Sequence, residues 1–223
     1  MRFEVLWRDA EINYLRGVAR EPEQAQLLEE ERDRQQAELL QEFHFVAECN
    51  IGGETLSDAA RDRLRRIASR TWIRHFSKRV GLSPLETQRL PETPEDLPAT
   101  ESLLADRPEH KIAHPRDGQL PAGYGIRMTV PEWQQDLGEL HNLFVSRGTL
   151  TDEDRFRIQA HMISTVKMLE SLPFPEELAR VPRYATTHHE TLRGDGYPRA
   201  LSAEALSIPE RLLAIADVFE SYN

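Results

Sequence analysis

Three histidines and one aspartate in the last third of the chain are the residues best suited to chemistry. His161 follows Ile158 by three residues and precedes Met162 and Thr165, which places it on the core-facing side of a helical stretch. His188 and His189 are adjacent and are followed by Glu190. Imidazole is a favoured ligand for zinc-, iron- and manganese-type sites. Neighbouring residues on a helix point about 100° apart, so both rings of the pair reach one centre only near a frayed helix end or across two metals. Asp217 sits among apolar neighbours in LLAIADVFE. A carboxylate taken from water must be paired, protonated or metal-bound. Each residue also has an ordinary structural reading. An isolated core histidine is more often a hydrogen-bonded structural residue, and Asp217 lies seven residues after Glu210, on the same face, and could belong to a solvated stripe. His44, His75, His110, His114 and His141 are scattered without ligand-like spacing and read as surface or satisfied core residues.

The elements that must position these groups read as all-α. Residues 21–48 are rich in Glu, Gln, Arg, Ala and Leu and predict one long helix after Pro22, with Leu28, Leu39 and Phe43 apolar, stopped by Gly52 and Gly53. Ser57 starts a second helix through about Lys78, with Leu64, Ile67 and Trp72 as its core stripe, and no strand is expected in this half. Residues 91–131 hold seven of the fourteen prolines and read as a linker or irregular excursion. This divides the chain into an N-terminal helical region (1–90), a Pro/Gly-rich linker (91–131) and a C-terminal helical domain (132–223). In the last part, Thr151 and Asp154 form an acidic capping box. The helix that follows carries Ile158, Met162, Thr165, Leu169 and Leu172 on one face until Pro173 ends it. Pro182 opens a helix running to about His189. GDGYPRAL (194–201) is a loop, and Pro209 opens a last helix.

Composition bounds the function. Hydrophobic residues make up 39% and charged residues 30% of the 223, an ordinary globular balance with no apolar run of membrane-spanning length. The net charge of −10 argues against a bulk electrostatic grip on nucleic acid. A small phosphorylated ligand remains compatible if a metal or a few arginines supply local positive charge. The N-terminus shows no signal-peptide core, and the single cysteine, Cys49, cannot form an internal disulfide, so the expected compartment is the cytoplasm.

Taken together, His188-His189-Glu190, then Gly194-x-Gly196-Tyr197-Pro198, then Ile215-Ala216-Asp217 resemble the HD-GYP family of metal-dependent phosphohydrolases. The likeness runs from R-G-T-L-T at Arg147 to Asp217, about a third of the chain, and takes in I-x-x-H at Ile158–His161 and L-P-F-P from Leu172. W-I-R-H-F-S-K-R-V-G-L-S from Trp72 is similar to the region before the domain in some members. The resemblance implies an HD-domain-like helical bundle with a binuclear or trinuclear iron- or manganese-type centre, acting on a cyclic dinucleotide, usually cyclic di-GMP. It assigns His161, His188, His189 and Asp217 as metal ligands. Gly194, Gly196, Tyr197 and Pro198 match the loop at the rim of the site, which is also associated with partner proteins, and Arg211 matches the family's arginine before the aspartate ligand.

The departures are as informative. The family's His-Asp doublet, followed by glycine and lysine, should precede R-G-T-L-T by about 15 residues, and GIRMTVPEWQQDLGELHNLFVSRGTLT contains none. His141-Asn142 lies too close to Gly148 and has asparagine in place of the acid. Arg193 stands where the family commonly has aspartate, and Ala200 replaces the usual glycine. The family pattern continues beyond Asp217 for several more turns, whereas this sequence ends at Asn223. A truncated or decayed member is expected, with one divalent ion (iron or manganese) or none, weak or lost hydrolysis, a mobile segment after about Asp217, and Asp217 the least secure ligand. The rival reading is a non-catalytic signalling module that keeps the GYP surface for protein contacts; a third is a fragment with no independent role.

Overall fold

Local hydrogen-bonding rules set most element boundaries in this chain. The computed structural model describes every residue except Glu54, Arg116, Asp117, Arg147, Tyr222 and Asn223. The R-G-T-L-T motif therefore begins at a residue outside those described. The chain divides into two units, one of residues 1–112 and 136–150, the other of 113–135 and 151–223.

In the first unit, α1 (Arg2–Arg20) and α2 (Ala25–Ile51) flank a 3₁₀ turn at Pro22–Gln24 and pack along each other. Phe3 meets Phe43 edge-on at 5.6 Å, and the Arg32 guanidinium lies 4.4 Å from the Tyr14 ring centroid, so the pair runs antiparallel. Gly52 ends α2 at φ +80°, a conformation costly for any residue with a Cβ. Ser57 caps α3 (Asp58–Ala68) by accepting the Ala60 N–H at 3.2 Å, and Leu64 and Ile67 are fully buried.

Here the structure corrects the expectation of a helix through Lys78. α3 stops at Ala68, and Thr71–Arg74 form strand β1. Further on, α4 (Pro84–Arg89) carries a complete capping box between Ser83 and Glu86. Strand β2 (Ala99–Ser102) then pairs antiparallel with β1, from Thr71 opposite Ser102 to Arg74 opposite Ala99. Arg74 fixes the pairing by reaching Glu101 at 2.9 Å and Glu95 at 3.1 Å. The fold is therefore mainly helical rather than all-α, with two more two-residue strands, β3 (Lys111–Ile112) and β4 (Gln135–Asp136). α5 (Glu139–Leu143) closes this unit against α2 and α3. No helix among the described residues is long and apolar enough to cross a membrane.

In the second unit the single helix expected after Thr151 is two. Thr151 caps α6 (Asp152–Gln159) by accepting the Asp154 N–H at 3.2 Å, and α7 (His161–Glu170) starts after a break at Ala160. Met162 and Val166 are fully buried, whereas Ile158 and Leu172, expected on the same stripe, are half exposed. α8 (Val181–Ala185) has Pro182 in its first turn and ends before the histidine pair. α9 (Ile208–Ser221) is the last helix.

Glu210 joins α9 to α8. It is 3% exposed, accepts from Arg183 Nε at 2.6 Å, and accepts from both the N–H and the hydroxyl of Ser207 at 2.6 Å. It is thus a buried, paired carboxylate and not part of a solvated stripe with Asp217. Burial pushes its pKa up, but the hydrogen bonds from Ser207 and the Arg183 guanidinium outweigh that and hold it below the usual carboxylate value. A depressed folded-state pKa contributes stability above the unfolded-state pKa, and that stability is lost as pH falls. Glu210→Gln is expected to cost about 2 kcal/mol at neutral pH. The gap between variant and native protein in denaturant unfolding should shrink below about pH 4.5; a gap that stays constant to pH 3 would contradict this account.

Candidate metal centre

α7 and the turn after α8 bring the sequence-selected histidines together, and α9 brings Asp217 beside them. One ring nitrogen from each of His161, His188 and His189 lies within 4.8 Å of the others. The His188 and His189 rings are 4.1 Å apart, and His161 meets His189 edge-on at 5.3 Å. Adjacent histidines can share a centre because the chain has left the helix at Ala185 and turns through His188 and His189. The break at Ala160 has a matching effect. It makes His161 the first residue of α7 and leaves it exposed rather than on the core-facing side.

The ring nitrogens are sorted by the backbone. His161 Nδ1 donates to Ile158 O at 2.6 Å, and His188 Nδ1 donates to Ala185 O at 2.7 Å. A neutral imidazole that donates through Nδ1 presents the Nε2 lone pair, which is how a metal-binding histidine is oriented by its surroundings. Asp217 lies beside this close group, with Oδ2 3.4 Å from His189 Nδ1. Burial first, then the neighbouring His188 and His161, hold the His189 pKa below its ordinary value against the opposing pull of Asp217. A lowered pKa favours the neutral imidazole, the form that can ligate. Three imidazoles and a flanking carboxylate fit a divalent metal of the zinc, iron or manganese type.

The glycine-rich loop is built against this group. Tyr197 stacks on His189 at 4.7 Å and 25°, and its N–H donates to His189 O at 3.2 Å. Burial and the Asp217 charge push its phenol pKa up. Glu190 is 4% exposed and accepts from the N–H groups of Arg199 and Leu201, both at 2.7 Å. Arg199 in turn reaches Thr186 Oγ1 at 2.9 Å, Tyr124 O at 2.9 Å and Glu170 at 2.6 Å. Pro198 is buried and its carbonyl accepts the Arg127 N–H. The bracing roles of Glu190 and Arg199 were not drawn from sequence, although both flank the recognised loop and were open to that reading.

The remaining sequence candidates fall elsewhere. The Gly194 N–H bonds to Thr191 O at 3.1 Å in the loop's first turn. The Arg211 guanidinium donates to Leu206 O at 3.0 Å and Ala203 O at 2.6 Å, bracing the turn before α9. Arg193 pairs with Asp195 at 3.2 Å. His141 and Asn142 lie in the first unit on α5, where the Asn142 amide caps Asp136 O and Gly138 O.

Ala200, where the resemblance expects glycine, has φ +54°, the left-handed region that costs an alanine about 1–2 kcal/mol. Ala200→Gly, after the extra entropy glycine loses on folding, is expected to stabilise the protein by about 1 kcal/mol and to raise the melting temperature by about 2–4 °C. A lower melting temperature would mean that the Ala200 methyl packs well enough to outweigh its strain.

Three curated relatives match stretches of this chain. The chain is 36% identical over 89 residues to 3'3'-cGAMP-specific phosphodiesterase 1 of Vibrio cholerae, which covers 39% of this chain and 20% of the relative. It is 35% identical over 91 residues to 3'3'-cGAMP-specific phosphodiesterase 3 of the same organism, 40% of this chain and 19% of that one. A third relative from that organism, a cyclic di-GMP phosphodiesterase, is 29% identical over 150 residues, 64% of this chain and 30% of its own. The matched parts thus span less than a third of the length of these relatives. No solved structure gives a significant match. The family model described as HD domain matches residues 98–223, more than half of the chain, and the chain belongs to the HD domain family.

Proposed function

We propose that this chain carries an HD-GYP-type metal site that binds a cyclic dinucleotide and hydrolyses it weakly or not at all. The observation that carries this is the histidine group itself, with three ring nitrogens within 4.8 Å and two of the three rings fixed through Nδ1 by backbone carbonyls. His161, His188 and His189, with Asp217 beside them, would hold a divalent ion, iron or manganese first. When bound, such an ion supplies Lewis acidity and lowers the pKa of a coordinated water. The chain's own residues orient the imidazoles of His161 and His188, hold the His189 pKa down and cover one face of His189 with Tyr197. The phosphodiester ligand class comes from the relatives, which are named for cyclic dinucleotides.

Reduced hydrolysis follows from what the sequence lacks. No His-Asp doublet precedes the site, and among the described residues no carboxylate belongs to the close group of donors. Two metals need a bridging carboxylate, and three imidazoles suit one ion. Metal content of the purified chain, measured beside cyclic di-GMP hydrolysis in iron- and manganese-supplemented buffer, tests the reading. About one ion per chain with turnover far below about 1 per second is expected. No bound metal, or turnover at that rate, would refute it.

The rival reading is an interaction module that uses the GYP loop for protein contacts. The loop's bracing by Glu190 and Arg199 favours it, because that bracing is complete without any ion. Retention of a partner by a metal-stripped sample would support this second reading.

A further inference from the structure

Each ring in the histidine group turns the same nitrogen to an oxygen of the chain. His161 Nδ1 is 2.6 Å from Ile158 O, His188 Nδ1 is 2.7 Å from Ala185 O, and His189 Nδ1 is 3.4 Å from Asp217 Oδ2. The two carbonyls belong to the histidines' own turns, three residues back in each case. Among the described residues no backbone carbonyl does this for the His189 ring, and the oxygen that faces it comes from α9.

α9 is aimed for this contact. Glu210 is locked to Arg183 of α8 and to Ser207, which sets the face of α9 that meets α8. Asp217 lies two turns further along that face and so comes against the turn after α8, where His189 sits. Tyr197 stacks on the His189 ring and fixes its plane. Stacking alone does not fix which edge of the ring faces where, because a flip that exchanges Nδ1 with a carbon keeps the same plane. An ionised carboxylate only accepts hydrogen bonds, so an oxygen at one edge favours the flip state that puts an N–H there. The two ring nitrogens point away from each other, and a proton held on Nδ1 leaves the Nε2 lone pair for an ion. Asp217 also stands outside the close group: among the described residues, the donors within 4.8 Å of one another are those of the three histidines.

We propose that Asp217 is a positioning residue and not a ligand: it holds the Nδ1–H of His189, and the chain binds its ion through the Nε2 atoms of His161, His188 and His189. This rests on the metal-site reading above and reassigns the one residue that the family resemblance makes a fourth ligand. A carboxylate that accepts from Nδ1–H raises the basicity of Nε2, so Asp217 also makes His189 a better donor.

Zinc is the probe, because it is diamagnetic and suits three imidazoles with an open fourth position. Nitrogen-15 NMR of the zinc-loaded chain should show Nδ1–H and metal-bound Nε2 in all three histidines. Asp217→Ala should lower zinc affinity in chelator competition about 10–100-fold, the range for loss of an orienting partner, whereas Asp217→Asn keeps an acceptor oxygen and should cost less than about tenfold. In the metal-free Asp217→Ala chain the His189 signals should show a mixture of the two tautomers, with those of His161 and His188 unchanged. Zinc on His189 Nδ1 overturns the proposal. So does a loss in Asp217→Asn as large as that in His188→Ala, which would make Asp217 a ligand. An Asp217→Ala chain with native affinity and native tautomers overturns it as well. These three results leave the metal-site reading standing. A native chain that binds no zinc overturns that reading and the proposal with it.

Discussion

Gly196→Ala is expected to destabilise the second unit by about 3 kcal/mol or more. A Cβ at Gly196 would lie 2.6 Å from Glu190 Cα, 2.6 Å from His189 O and 2.6 Å from Thr191 N. All three are backbone atoms, so no flexible side chain can swing aside. The loop must move away from residues 189–191, and three things move with it. The Tyr197 N–H leaves His189 O, the Tyr197 ring loses its stacking on His189, and the two backbone donors of Arg199 and Leu201 shift from the buried Glu190 carboxylate. Leaving buried donors unpaired costs about 1–3 kcal/mol each, on top of the overlap. A drop in melting temperature of about 6–12 °C is expected, accompanied by weaker metal binding. A variant within 1 °C of the native protein would show that the loop has room the structure does not display.

His188→Ala should lower metal affinity about 100-fold or more while leaving the fold intact. Loss of a group that only orients a ligand typically costs 10–100-fold, so loss of a ligand should exceed the upper end of that range. His188 is half-buried on a turn, and among the described residues the only hydrogen bond its ring makes is Nδ1 to Ala185 O, so truncation opens no core cavity. His114→Ala is the control. His114 is in the same unit, and its Nε2 bonds to Pro131 O at 2.9 Å, outside the histidine group. Chelator competition, with far-ultraviolet circular dichroism to monitor the fold, reads both. Equal metal affinity for His188→Ala and native protein would remove His188 from the site, and equal losses in His188→Ala and His114→Ala would make the binding nonspecific.

What the sequence determined by itself was local. Ser57 and Thr151 each cap a helix with a side chain three residues from its backbone partner, and Gly52 stops α2 through its own φ. Such signals lie within one helical turn, so they are legible without any knowledge of the fold. The histidine pair was legible as one that could share a centre only near a frayed helix end or across two metals, since two neighbouring side chains cannot face one point from inside a helix. The helix expected to run to about His189 stops instead at Ala185, before the pair. Ala200 was legible as a departure from a glycine pattern, and its positive φ gives that departure a physical meaning.

Only the tertiary structure decided the rest. Strand β1 reads as a continuation of a helix until Arg74 meets Glu95 and Glu101 and Thr71 pairs with Ser102, partners about twenty to thirty residues away. The break at Ala160 separates what one periodic stripe had joined, so Met162 and Val166 are buried while Ile158 and Leu172 are half exposed. Glu210 and Asp217 share a helix and a spacing, yet Arg183 and Ser207 bury the first and His189 faces the second. Hydrophobic period and capping chemistry act between residues a turn apart, whereas the environment of a charge is set by whichever distant segments surround it. That difference in range is why the candidate ligands could be named from the chain, while the partners that bury Glu190 and engage Arg199 emerged only from the fold.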